Sequence, residues 1–233
     1  MLLTLSNLKA LQADYVPRLV SNFETAFSVK LTEEANTIRD VVDQIDARLF
    51  QSYTKPTVAA LDANIRKGIT APDWVPATSP PEHVRPYVYN TMLTLVLVHN
   101  EITSTIPLPP GNPPTPTAHP LLTSVLTHLV TQISLSLLNA FMERSRYTLP
   151  ALMQATLDTE FIAQTMSQYV NEEASQIQSQ IYLELDQRTS NEARAKLQAE
   201  LGDMRGILKR LRERTKGQFA CFRKPRVPIS ERR

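Results

Sequence analysis

Apolar residues recur along this chain at three- and four-residue spacing, the signature of a helical face turned to a core. Leu5, Leu8 and Leu11, followed by Leu19, Phe23 and Phe27, predict a helix over residues 2–27 that bends or divides at Pro17, where the ring removes a backbone donor. Ala35, Ile38, Val42, Ile45 and Leu49 trace a second stripe with the three-four alternation of a bundle seam. Thr32 is placed to cap its N-terminus, and Glu33 and Glu34 suit the positive end of the helix dipole. Lys55-Pro56 reads as the start of a third, short helix carrying Val58, Leu61 and Ile65, which Gly68 ends.

Residues 84–105 are apolar nearly all round, through Val88, Met92, Leu93, Leu95, Val96, Leu97, Val98 and Ile102. Such a helix needs neighbours on several sides and is expected at the centre of the fold. Leu122, Leu126, Leu129, Ile133, Leu137 and Phe141 define another long helix. Thr148 then caps a third, whose stripe continues through Ile162, Met166, Tyr169, Val170, Ile177, Ile181 and Leu185 and predicts about 35 residues, on the order of 50 Å. Thr189-Ser190-Asn191-Glu192 has capping-box spacing ahead of Leu197, Leu201, Met204, Leu208 and Leu211.

No segment alternates as a strand and no Asn-Gly or Asp-Gly hairpin turn occurs, so the expected class is all-α, an elongated bundle of antiparallel helices. The 17 prolines, concentrated between Pro72 and Pro120, interrupt this pattern with two loops. Residues 70–83 hold the chain's one tryptophan, Trp74, which is expected to anchor that loop to the core. Residues 106–119 include the run Pro107-Leu108-Pro109-Pro110-Gly111-Asn112-Pro113-Pro114, which can form neither helix nor sheet. An extended, exposed and mobile connection is expected there, in preference to a polyproline ligand for a partner domain. The expected organisation is a bundle segment over residues 1–69 that continues a preceding bundle, the Pro/Trp loop at 70–83, a C-terminal bundle over 84–223 and a flexible basic tail at 224–233.

Composition narrows the chemistry. At 233 residues and 42% apolar the chain can build a core. One cysteine excludes an internal disulfide framework, and there is no Asn-x-Ser/Thr acceptor; both fit a reducing compartment. The leucines at the start lack a basic n-region and are interrupted by Ser6, Asn7 and Lys9. The window read as most apolar, Met92 to Val98, is seven residues and contains Thr94, too short to cross a bilayer, so no membrane span is expected. His83, His99, His119 and His128 form no i, i+4 pair, and no HExxH, CxxC, P-loop, GxGxxG or nucleophile elbow is present. We expect no catalytic, metal or cofactor-binding residues, and no small-molecule substrate. His99, on the stripe of Val88, Met92, Leu95 and Ile102, is assigned a structural role as a hydrogen-bonded core residue. Cys221 is read as a packing residue between Phe219 and Phe222.

Charge is the polarised feature. The overall balance is +2, yet residues 204–233 hold eleven Lys and Arg against Glu213 and Glu231, a local +9 that leaves −7 over the first 203 residues. Arg205, Lys209, Arg212 and Lys216 share one helical face that could meet an acidic partner or an anionic lipid surface. Without aromatic interleaving or a nucleic-acid fold, RNA or DNA is not an expected partner.

One ordered set of features points further. Lys55-Pro56, Gly68, Asp73-Trp74, Val84-Arg85-Pro86-Tyr87 and Leu97-Val98-His99-Asn100-Glu101-Ile102 are followed by the run from Leu149 to Phe161 and the basic helix closing on Phe219-Ala220-Cys221-Phe222. Their order resembles the C-terminal part of the Sec5 subunit of the exocyst, over most of the chain. The resemblance implies a rod of stacked helical bundles and a non-enzymatic role in tethering post-Golgi secretory vesicles to the plasma membrane before SNARE-mediated fusion. It implies the other exocyst subunits as partners, at most weak contact with anionic membrane, and a cytoplasmic protein peripheral at sites of exocytosis. Family members carry an N-terminal helical segment and, in animals, a small GTPase-binding β-domain; neither has a counterpart here, so Met1 reads as an internal start. The proline-rich insertion at 107–116 departs from the short turn of the family pattern. The alternatives are a rod domain of another helical tether and a membrane-surface module acting through the basic end.

Overall fold

The computed structural model describes residues 1–77, 80–106 and 119–223, so the proline-rich run and the basic tail lie outside the described residues. The described residues form α1 (Leu2–Ala10), α2 (Val16–Phe27), α3 (Thr32–Thr70), α4 (Pro86–Thr105), α5 (Pro120–Met142), α6 (Leu149–Thr165), α7 (Glu172–Gln187) and α8 (Asn191–Arg214). Short 3-10 turns stand at Ser167–Tyr169 and Ala220–Phe222. No strand occurs among them; Tyr147 and Thr189 make one isolated bridge. The class is all-α, and buried residues from Leu2 to Phe222 make a single hydrophobic cluster.

Several helix boundaries differ from the sequence pattern, each for a local reason. The first helix does not divide at Pro17. It loosens just ahead of it, into a π-helical turn at Leu11–Tyr15. That turn contains Ala13, the residue whose carbonyl would have bonded the missing Pro17 N–H, so the wide turn absorbs the lost bond. Next, α3 is one helix of 39 residues, about 58 Å long, and runs through both Pro56 and Gly68. Pro56 leaves the carbonyl of exposed Ser52 to water, which keeps its cost small. Thr32 opens α3 but is not its cap: Leu31 holds that position, with its N–H donated to Glu24 Oε1 at 2.8 Å.

Gly68 is not a helix end. A Cβ built there would stand 2.4 Å from Tyr87 Cβ, so glycine is what allows α3 and the start of α4 to approach this closely. The helix stops two residues later because Pro72 forces Ala71 into an extended conformation (ψ 139°).

The expected helix of about 35 residues is two. α6 ends at Thr165, and α7 starts again behind Asn171, whose Oδ1 accepts from Ala174 N–H at 2.8 Å and from the Thr131 hydroxyl at 3.2 Å. An asparagine followed by Glu172 and Glu173 is a restart signal that the unbroken apolar spacing concealed. At α8 the cap is Ser190, accepting from Ala193 N–H, while Thr189 turns back to donate to Leu185 O.

The centre of the fold is α5 rather than α4. α5 packs against α3, α4 and α7 and buries residues on every side, including Leu126, Leu129, Val130, Ile133, Leu137 and Phe141. α4 leaves Leu93 and Leu97 more than half exposed. α5 also bears on the membrane question: it has no charged side chain and a mean hydropathy of 1.6 in its most apolar window, enough by length and composition to cross a bilayer. Two-thirds of that window (67%) is buried inside the bundle, the environment of a core helix.

Candidate functional site

Three places concentrate side-chain chemistry: a buried polar node under the Trp74 loop, a basic groove along α8, and an apolar face on α2 and the outer half of α3. The node is built by the loop after α3. Trp74 is 1% exposed, 6.0 Å from the Phe141 ring and 6.5 Å from Tyr147, with the Arg144 guanidinium 4.6 Å over its face. Arg144 also donates to Ile69 O at 2.7 Å, taking up an orphan carbonyl at the end of α3. Arg85 Nε donates to Trp74 O at 2.7 Å, while Arg85 N–H donates to Asp158 Oδ1 at 3.0 Å. Gln154 Nε2 donates to the same Oδ1 at 2.8 Å and to His83 O at 3.1 Å.

Asp158 is fully buried, and burial pushes its pKa up to about 7 against these donors. The Tyr87 hydroxyl and the Trp74 indole N–H both approach and favour the charged form, yet neither reaches hydrogen-bond geometry with Oδ2. The Tyr87 hydroxyl is likewise pushed well above its ordinary value by burial and by the carboxyl beside it. Trp74, Arg85 and Tyr87, which stand far apart in sequence from Asp158, therefore meet it in one polar cluster that joins the loop, α4 and α6. Sequence reasoning gave Asp158 no role. The available signal was its place on the stripe of Ala151, Ala155 and Ile162, a charged residue on a core face.

His99 is half-buried and packs edge-on against Phe222 at 6.0 Å. Its Nδ1 has no hydrogen-bond partner among the described residues, so the ring acts as a packing group more than the hydrogen-bonded core histidine the pattern suggested. Burial holds its pKa below the ordinary value, and nearby His119 adds to that, against the Asn100 side chain. His119 was passed over in the sequence, yet it caps α5 through Nδ1, which accepts from Leu122 N–H, while Nε2 meets Ile106 O at 2.9 Å. It thus ties together the two ends of the proline-rich segment. Cys221 is half-buried between Phe219 and Phe222, and burial raises its thiol pKa, which keeps it protonated and unreactive.

The four basic residues of the predicted face, Arg205, Lys209 and Arg212 on α8 and Lys216 just after it, do not behave alike. Arg205 and Lys209 are exposed and line a groove of about 500 Å³ between α8, the end of α6 and the 3-10 turn at Ser167–Tyr169. Arg212 lines it too, but is committed to Gln164 through Nη1 to Oε1 at 2.9 Å and Nη2 to the backbone carbonyl at 3.4 Å. Lys216 lies outside the groove, paired with Glu213 at 2.9 Å. In its place the structure brings in Arg223, which donates to Arg212 O at 3.2 Å.

The stripe read as a seam is divided: Leu49 packs against the core while part of the stripe joins an exposed apolar face. Ala35 and Val42 are buried, but Ile38 and Ile45 are 44% exposed, and Leu19, Phe23 and Phe27 of α2 are 69%, 43% and 64% exposed. Phe23 and Phe27 lie with ring centroids 4.5 Å apart. Among the described residues no group of three His, Cys, Asp or Glu is placed to hold a metal ion.

The family model described as exocyst complex component Sec5 matches residues 1–222. No curated protein and no solved structure matches the chain.

Proposed function

Because the chain belongs to the Sec5 family of exocyst components, we propose that it is a non-enzymatic subunit that helps tether post-Golgi secretory vesicles to the plasma membrane before SNARE-mediated fusion. It works in the cytoplasm, peripheral to the membrane at sites of exocytosis, and its partners are the other exocyst subunits. The family match over residues 1–222 carries this reading. Exposed apolar residues at helical spacing support it: Leu19, Phe23 and Phe27 recur along α2 and Ile38 and Ile45 along α3, a spacing that fits a helix of a neighbouring subunit.

Expression of the tagged chain in cells that assemble exocyst, followed by immunoblotting of the purified material for the other subunits, tests the proposal. We expect those subunits to co-purify, and Phe23→Glu with Phe27→Glu to reduce their recovery with little change in melting temperature, since neither side chain is buried in the core. Recovery of none of them with the parent chain would refute the assignment. Undiminished recovery with the double variant would remove the apolar face from it.

A further inference from the structure

The groove along α8 has a composition suited to one kind of occupant. Four cations, Arg205, Lys209, Arg212 and Arg223, face a single carboxylate, Glu213, which Lys216 already neutralises. Arg205 and Lys209 have no partner among the described residues, whereas Arg212 and Arg223 are held in place by backbone and amide acceptors. The groove thus pairs two preset guanidinium groups with two uncommitted charges. Leu208, Phe219 and Phe222 form its floor, each nearly buried by the fold and each presenting an apolar edge to the cleft.

We propose that this groove is a docking site for an acidic segment of a partner protein, with carboxylates meeting Arg205, Lys209 and Arg212 and an apolar side chain resting on Leu208 and the two phenylalanines. The spacing of these three cations, four and then three residues, spans about 10 Å along α8 and is the spacing at which a facing acidic helix repeats its own charges. Their placement in a concavity favours a segment that enters it over a flat bilayer, which would meet exposed Arg210 and Lys216 as readily as the groove residues. The site goes beyond the tethering role and stands independently of it, because it rests on the charge and shape of α8 and not on the apolar face.

The test uses the full chain and a fluorescein-labelled peptide of repeated Glu-Glu-Leu-Leu units, read by fluorescence anisotropy at low and physiological salt. We expect saturable, salt-weakened binding. Arg205→Glu with Lys209→Glu should weaken it by about tenfold or more, while Arg210→Glu with Arg214→Glu, the same charge change at exposed positions of α8 outside the groove, should weaken it far less. Circular-dichroism melts of both double variants check that the fold is retained; Arg205→Gln with Lys209→Gln serves if the first pair unfolds. Absence of saturable peptide binding overturns the proposal. So does equal weakening by the two pairs, which would mean bulk charge. Binding to phosphatidylserine vesicles that is lost with the groove pair, with no binding of the peptide, would assign the groove to a membrane surface instead.

Discussion

Replacing Asp158 by Asn probes the buried node directly, because the amide keeps the shape and removes the ionisation. In the folded chain the carboxyl is pushed up to about 7 by burial, from an ordinary value of 3.8. An acid whose folded pKa is raised binds more protons folded than unfolded between those two values, so its contribution to stability falls as pH rises. A shift of about three units at ~1.4 kcal/mol each puts the full loss on the order of 4 kcal/mol, with roughly 3 kcal/mol of it between about pH 5 and about pH 8. In Asp158→Asn the amide oxygen still accepts from Arg85 N–H and Gln154 Nε2, and the new NH2 group faces the Tyr87 hydroxyl, so nothing at this position titrates. Urea unfolding of parent and variant across that range, read as the difference between the two stability curves, isolates the group from every other titration. The parent should lose stability relative to the variant as pH rises. Parallel curves would mean that the carboxylate is ionised throughout and that the donors around it outweigh burial.

Gly68→Ala has two opposing effects: alanine is the better helix former by about 1 kcal/mol, but its Cβ would fall 2.4 Å from Tyr87 Cβ. We expect the clash to dominate, with a net loss of roughly 1–3 kcal/mol in chemical denaturation, and a stabilised variant would show that α3 and α4 can part without penalty. Trp74→Ala removes a ring that is 1% exposed and leaves the Arg144 guanidinium without its aromatic surface, so the loss should be about 3–5 kcal/mol and the melting temperature should fall. An unchanged melt, together with iodide-quenchable tryptophan fluorescence in the parent, would place that side chain in solvent.

Periodicity revealed the helices but not their ends or their depth. Spacing alone carries the stripe of α6 into α7 without a break, because the 3-10 turn at Ser167–Tyr169 keeps Met166 and Tyr169 on the buried side; only the Asn171 side chain reports that the helix restarts. Pro56 and Gly68 read as punctuation since they usually are, yet one sits where water can take the freed carbonyl and the other where a neighbouring helix needs the space. The choice of α4 as the centre failed because an all-round apolar helix and a one-sided helix with exposed leucines differ only in what surrounds them. The basic face was visible as charge at helical spacing. Which cations would be occupied was only partly visible: Glu213 pairs with Lys216 three residues on, but Gln164 reaches Arg212 only once α6 and α8 lie together. Asp158 stayed hidden for the same reason: apart from Gln154, one turn before it, the groups around it come from Arg85 and Tyr87, about 70 positions away.

The unbroken run of α3 gives the subunit a stiff lever. Its outer half bears the uncovered Ile38 and Ile45, while its inner half seats Leu61, Ile65 and Ile69 in the core and ends beside Tyr87 and the Arg144 side chain. α3 stays helical from Thr32 to Thr70 with one backbone bond missing at Pro56, and it has no loop between the two halves in which strain could dissipate. A displacement of α3 at Thr32 would therefore be felt some 50 Å away at the glycine contact and the Trp74 loop, beside the one carboxyl whose protonation ties this corner of the core to pH.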